Sequence, residues 1–430
     1  MRVLAFIILL LVFNGVVQPK RAEATPGEGS TAEASASDTL TWAGAFARVE
    51  RGNALLRALP LRSGSAAALV EQAGAWPNPD VLFEAENVDG SYSGFDRSEF
   101  SLWLSQDFEL GGKRAQRASQ ARGLADEVAR DVATQAFEIY LEAKSRYAEV
   151  AHAEERVRLA TAAEAIVAEL AASAEARVRS GATLTADAAL ATTALARARI
   201  AIRDAEAQRV RARIALSVLW GDAAGFDEPV SRVAAIPPTV VPADSAASWA
   251  SASPAVASLR LARVTHRADA AVERGLRVPN LSLDAGARRI EADDASTFLF
   301  AVSMPLPLWD RRGGAVRAAD ARLRMIDLEL EQARAETAGR LAGHAQALER
   351  LRERLRQTNA TLIPSLTAAL DNMRTAYTIG RVSYADLLEV QRALIELQND
   401  TNDTRLAIVG EMVAIERLAG RPVEELMSHE

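Results

Sequence analysis

The chain has 430 residues and a formal net charge of -7, with 25 % charged residues, 5 % aromatics and no cysteine. The acidic balance argues against a general nucleic-acid binder, because phosphate binding needs an excess of Lys and Arg. Without cysteine there is no disulfide framework, thiolate metal site, catalytic thiol or acylation site. Ala, Leu, Arg and Glu dominate the middle of the chain at helical spacing, which points to long helices and coiled coils rather than a compact α/β enzyme.

The chain begins with Arg2, an apolar run over 3–13 and the small-residue pattern Ala22-Glu23-Ala24. This predicts a secretory signal peptide over 1–24, since a spanning helix needs about 20 apolar residues; Lys20 and Arg21 in the cleavage region leave an uncleaved anchor as the alternative. Residues 25–39 are small and polar, a disordered linker. Helical patterning runs from about 39 to 72 and ends at Trp76-Pro77-Asn78-Pro79. The period then changes to two over 81–88, and again over 100–105 after a Gly/Ser/Asp-rich loop at 89–98. That is a β-hairpin with one apolar and one polar face. From Gly112 to about 178 there is no proline and one further glycine, a rod of roughly 100 Å at 1.5 Å per residue. A return helix then runs to about Trp220.

A Pro-rich connector over 222–244 separates this first repeat, 40–221, from a second over 245–421 and an acidic tail over 422–430. The second repeat has the same order: a helix over about 245–276, period-two stretches at 281–287 and 297–303 around a charged loop at 288–294, and a rod to about 378. Pro364 should kink that rod. A return helix follows over about 384–419. Each rod ends at a glycine with Asp six positions on (181 to 187, 380 to 386) and a second glycine forty positions on (181 to 221, 380 to 420). Glycine between two helical patterns, followed by Ser, Thr or Asp, reads as a tight helix–turn–helix tip.

The expected fold class is mainly α with a small β part. Strands of this length suit an outer-membrane barrel, but lipid tolerates no open sheet edge and four strands are too few to close one. Several copies must therefore share a barrel, with the rods standing side by side and the tips at the far end.

These residues resemble the TolC family of outer-membrane efflux ducts, most of all its heavy-metal, CzcC- and CusC-like branch. The matching stretches are Asn78-Pro79 into the first strand, Glu109-Leu-Gly-Gly-Lys-Arg114, Pro305-Leu-Pro-Leu-Trp-Asp310 and Tyr377…Gly380…Ser383…Asp386-Leu-Leu388. The resemblance implies a homotrimer whose three sets of four strands form a 12-stranded transmembrane β-barrel, continued by an α-helical barrel across the periplasm. It implies partners: a periplasmic adaptor of the membrane fusion type, an inner-membrane pump of the RND type, and outer-membrane lipid. It also implies a periplasmic entrance built from Asp386 and Glu389 as an acidic ring, with Tyr377 as a gate residue, Asp187 as its partner and Arg381 close by. Gly181, Gly380, Ser383, Leu387 and Leu388 would form the tips that meet the adaptor. Three copies of Asp386 and Glu389 around one axis would raise each other's pKa and attract cations; alternatively, these acids simply favour the first turn of a helix.

No other motif carries chemistry. The four histidines, His152, His266, His344 and His429, are scattered without metal-ligand spacing, and no cofactor is expected. Gly27-Glu-Gly29-Ser-Thr-Ala32 imitates a dinucleotide fingerprint but follows no strand. No catalytic constellation is present, so an enzyme is not expected. The competing reading is a periplasmic coiled-coil adaptor or scaffold without a pore, for which the period-two stretches have no use.

Overall fold

The computed structural model describes residues 39–88, 95–181, 185–231 and 246–422. The expected signal peptide, almost all of the leader, loop residues 89–94, the end of the connector and the tail beyond 422, with His429, lie outside these residues.

The element order repeats. Helices α1 (Trp42–Gly52) and α2 (Ala54–Ala73) lead into strands β1 (Asp80–Glu86) and β2 (Glu99–Phe108), then α3 (Lys113–Arg179) and α4 (Thr185–Ser217), which ends in a 3-10 turn, Val218–Trp220. Helices α5 (Ala246–Ala252) and α6 (Pro254–Gly275) lead into β3 (Leu281–Ile290) and β4 (Ala295–Ser303). Then come α7 (Gly313–Gln357), a π-turn over Thr358–Leu362, α8 (Ile363–Thr378) and α9 (Tyr384–Ala419).

Four sequence expectations shift in detail. The first helix is split at Asn53, whose side chain accepts from Leu56 N at 3.0 Å and donates to the Leu219 carbonyl at 2.8 Å. It thus caps α2 and ties α2 to the end of α4. The helix expected over 245–276 is split at Ser253, which caps α6 just before Pro254. Strand β3 runs on to Ile290, so Arg288 and Arg289 belong to the sheet and not to the loop. The second rod is interrupted one turn before Pro364, at the π-turn. Proline offers no N–H to the carbonyl of Ala360, and the wider i→i+5 turn absorbs the mismatch.

Helix α3 is the post of the molecule. Its 67 residues extend about 100 Å, and along that length it packs in turn against α1, α2, α4, α6 and α9. Its buried residues therefore wind around the helix instead of forming one stripe, and many are alanines (Ala143, Ala148, Ala163, Ala171, Ala174) that let axes approach closely. Midway, Phe46, Val49, Leu141, Val409 and Val413 form one core cluster, and Leu341, Leu348, Ile408 and Ile415 another. Between α3 and α9, Lys144 Nζ meets the buried Glu416 Oε1 at 2.7 Å.

The strands form one antiparallel sheet, β1-β2-β3-β4. Register aligns Phe83 with Leu102, Leu102 with Ala287 and Ala287 with Phe298, so Val81, Phe83, Leu102, Leu104, Phe298 and Phe300 share one face. Trp103 lies on the other face against Gly286, where an added Cβ would sit 2.8 Å from the indole. Only glycine admits that ring. Among the described residues no helix is long and apolar enough to cross a membrane.

Candidate functional site

The two helix–turn–helix tips pack on each other. Gly380 takes φ +76° and Gly181 φ +69°, the left-handed backbone that glycine adopts without strain. At the second tip the Gly380 N–H bonds the Tyr377 carbonyl at 3.0 Å and the Arg381 N–H reaches the Ala376 carbonyl at 2.9 Å, closing α8 as a Schellman motif. Ser383 then starts α9 with a capping box: its Oγ accepts from Asp386 N, and its N–H donates back to Asp386 Oδ2 at 3.1 Å.

Arg177, in the last turn of α3, crosses to the other hairpin. Its Nη1 donates to the Tyr377 carbonyl at 2.6 Å and to the Thr378 carbonyl at 3.2 Å. The guanidinium also lies 4.9 Å from the centre of the Tyr377 ring. One cation thus occupies the negative end of α8 and the face of an aromatic at once. Beneath it Tyr377 and Tyr384 pack with ring centres 5.8 Å apart, in a cluster with Leu170, Ala174, Ala191, Leu370, Leu387 and Leu388.

The expected gate residues divide into two groups. Asp187, in the first turn of α4, stands near both tyrosines. Burial raises the Tyr377 phenol, Arg177 opposes that and the Asp187 carboxylate adds to it. Tyr384 is pushed up to about 12, chiefly by burial and then by Tyr377, with Asp187 adding further. The Tyr377 hydroxyl has no hydrogen-bond partner among the described residues, so its relation to Asp187 is through space, not the direct pairing the resemblance suggests. Asp386, Glu389 and Arg381 are all exposed, away from this core. Ser383 holds the Asp386 carboxyl below its ordinary range by hydrogen bonding. That is the opposite of the rise expected from neighbouring acids, and within one chain the cap decides.

Leu387 and Leu388 are buried in the hairpin core. A partner at the tip would not reach them, because helical spacing turns them inward when Ser383 and Asp386 face out. Arg177 and Tyr384 were not singled out from the sequence. A basic residue four positions before the tip glycine, and a tyrosine beside the N-cap, are the signals that mark them.

The sheet is the second notable surface. Its apolar face is uncovered: Phe298 and Phe300 are 80 % and 81 % exposed, and Phe83, Leu102 and Val302 are exposed as well. The opposite face carries Asp80, Glu84, Glu86, Glu99, Asp107 and Asp284, six acids by register, against Arg288 alone. Arg288 holds Glu99 at 2.9 Å and Glu86 at 3.6 Å and donates to Ser101 Oγ at 2.9 Å. The sequence had shown the alternation but not that pairing gathers the acids on one side. Among the described residues no cluster of His, Asp and Glu could hold a metal ion.

The model of the outer membrane efflux protein family matches residues 48–222 and 248–421. The cobalt-zinc-cadmium resistance protein CzcC of Cupriavidus metallidurans is 26 % identical over 84 % of this chain and 85 % of its own length. The nickel and cobalt resistance protein CnrC of the same organism is 31 % identical over 63 % of this chain and 65 % of its own. Among solved structures, CusC superposes with a TM-score of 0.77 at 17 % identity, covering 95 % of this chain and 99 % of its own. The outer membrane protein VceC of Vibrio cholerae gives 0.73 at 17 % identity, over 89 % and 96 %. Two matched halves, a long helical frame and a sheet with an uncovered apolar face leave a pore-free periplasmic scaffold without support: the chain belongs to the outer membrane efflux protein family.

Proposed function

We propose that three copies close their sheets into one 12-stranded barrel and act as the passive exit duct of a tripartite system, taking substrate from a periplasmic adaptor and an RND-type inner-membrane pump. The observation that carries this reading is the sheet: among the described residues β1 and β4 each have one neighbour, and its apolar face lies open. Hydrocarbon tolerates such a face and forbids such edges, so the edges must meet those of other copies. The acidic face then lines the lumen, where carboxylates favour cations. With the resistance functions for which the relatives are named, this makes heavy-metal cations the substrate class. The duplicated frame supplies the two repeats, 40–221 and 245–421, that each copy contributes to the tube.

The tips form the gate. Arg177, Tyr377, Tyr384 and Asp187 hold the two hairpins of one copy together, and Asp386 and Glu389 face the entrance as an acidic ring, with Arg381 beside them. Gly181, Gly380 and Ser383 shape the surface that meets the adaptor. The test is extraction and recording. The protein should leave the membrane only in detergent, run as a trimer and form cation-preferring channels in planar bilayers. Recovery as a soluble monomer without conductance would overturn the reading. Deleting the gene should sensitise cells to divalent metals when the pump is present.

A further inference from the structure

Above the tip, between α3, α4 and α9, lies a cavity of about 400 Å³. Arg156 of α3, Arg197 of α4 and Arg392 of α9 line it, with Asp204, Asn399 and Gln391. None of the three arginines makes an ion pair or hydrogen bond among the described residues. Asp204 is the single carboxylate on the lining, so the cavity keeps a positive excess within an acidic protein. Gln391 is 1 % exposed, and neither its Nε2 nor its Oε1 has a hydrogen-bond partner among the described residues. A buried amide with both ends unmade is costly and rare.

We propose that this cavity binds an oxyanion carrying both charged oxygens and a hydroxyl: hydrogen phosphate or a small hydroxycarboxylate. The chemistry follows from the donor set. Guanidinium groups are donors only and pair best with carboxylate or phosphate oxygens. The Gln391 Nε2 adds a donor, but Oε1 needs a donor from the ligand, which a bare anion such as sulfate lacks at neutral pH. An anion seated here touches α3 and α4 of the first hairpin and α9 of the second. It joins the two at a level separate from the Arg177 contact.

The experiment is calorimetric titration of the full-length protein in detergent, at low ionic strength, with inorganic phosphate, citrate and sulfate in turn. Wild type should bind phosphate or citrate saturably at one per chain, and sulfate more weakly; whichever of the first two binds tighter identifies the source. Arg392→Gln, at an exposed position, should weaken binding about tenfold. Gln391→Leu, which fills the same space without polar atoms, should erase the preference over sulfate while leaving thermal stability intact or raised. Absence of saturable binding, equal affinity for all three anions, or variants that alter only oligomeric state would each overturn the proposal. Because the lining comes from one chain, these outcomes do not depend on channel formation.

Discussion

Replacing Arg177 by Ala removes two hydrogen bonds from a cation to the Tyr377 and Thr378 carbonyls and its contact with the Tyr377 ring. The Tyr377 carbonyl keeps its bond from Gly380 N, so no buried acceptor is orphaned and the loss is at the modest end. The Thr378 carbonyl is exposed and returns to water, so the net loss is one charge-assisted bond and a half-buried cation–π contact, together worth about 2 kcal/mol. That shifts the balance between joined and separated hairpins about 30-fold. Arg177→Lys keeps the charge but loses the planar fork, and should fall between the two. In planar-bilayer recordings Arg177→Ala should dwell longer in high-conductance states, and cysteines placed on the facing tips should crosslink less efficiently. Thermal melting of the protein should be nearly unchanged, since the midway core is untouched. Wild-type conductance together with wild-type crosslinking would refute the assignment of Arg177 as the clasp.

Tyr377→Phe should leave conductance unchanged and stability within about 0.5 kcal/mol of wild type, because the hydroxyl it deletes has no partner among the described residues; a large effect in melting or recordings would mean a direct bond to Asp187. Tyr384 is pushed up to about 12, whereas a tyrosine in the unfolded tip ionises near pH 10. Between those values the unfolded state has lost a proton the folded state keeps, so tip stability is full below about pH 10 and falls as pH rises towards 12. Hydrogen exchange across that window should show the decline in wild type and a smaller one in Tyr384→Phe. Asp386→Ala should lower cation preference, read as a reversal-potential shift under a salt gradient; an unchanged potential removes Asp386 from the gate. Gly286→Leu should drive a side chain into the Trp103 ring and cost about 1–3 kcal/mol, seen as a lowered melting temperature.

Most of the frame was readable before any coordinates because its signals are local. The absence of proline between Gly112 and Arg179, the tip glycines and the period-two stretches each report on a few neighbouring residues. The ends of the return helix α9 match the sequence reading, since Ser383 and Gly420 are strong punctuation. What escaped reading depends on contacts between distant segments. Nothing near Arg177 announces that carbonyls 200 positions away will accept from it. The gathering of six acids on one sheet face needs the register between β2 and β3, which joins the two repeats across the whole first helical hairpin. Leu387 and Leu388 were assigned to the tip surface from their place beside Asp386. Burial corrected that, because neighbours in sequence on a helix point about 100° apart.

The π-turn at Thr358–Leu362 gives the two hairpins unlike mechanics. Helix α3 carries its tip on 67 uninterrupted residues, whereas the second tip hangs below a joint whose hydrogen bonding is already irregular. Bending is cheapest where the backbone ladder is looser. If the tips open as an iris, such parts should not dilate evenly: the first hairpins should act as fixed jambs and the second as the leaves that swing.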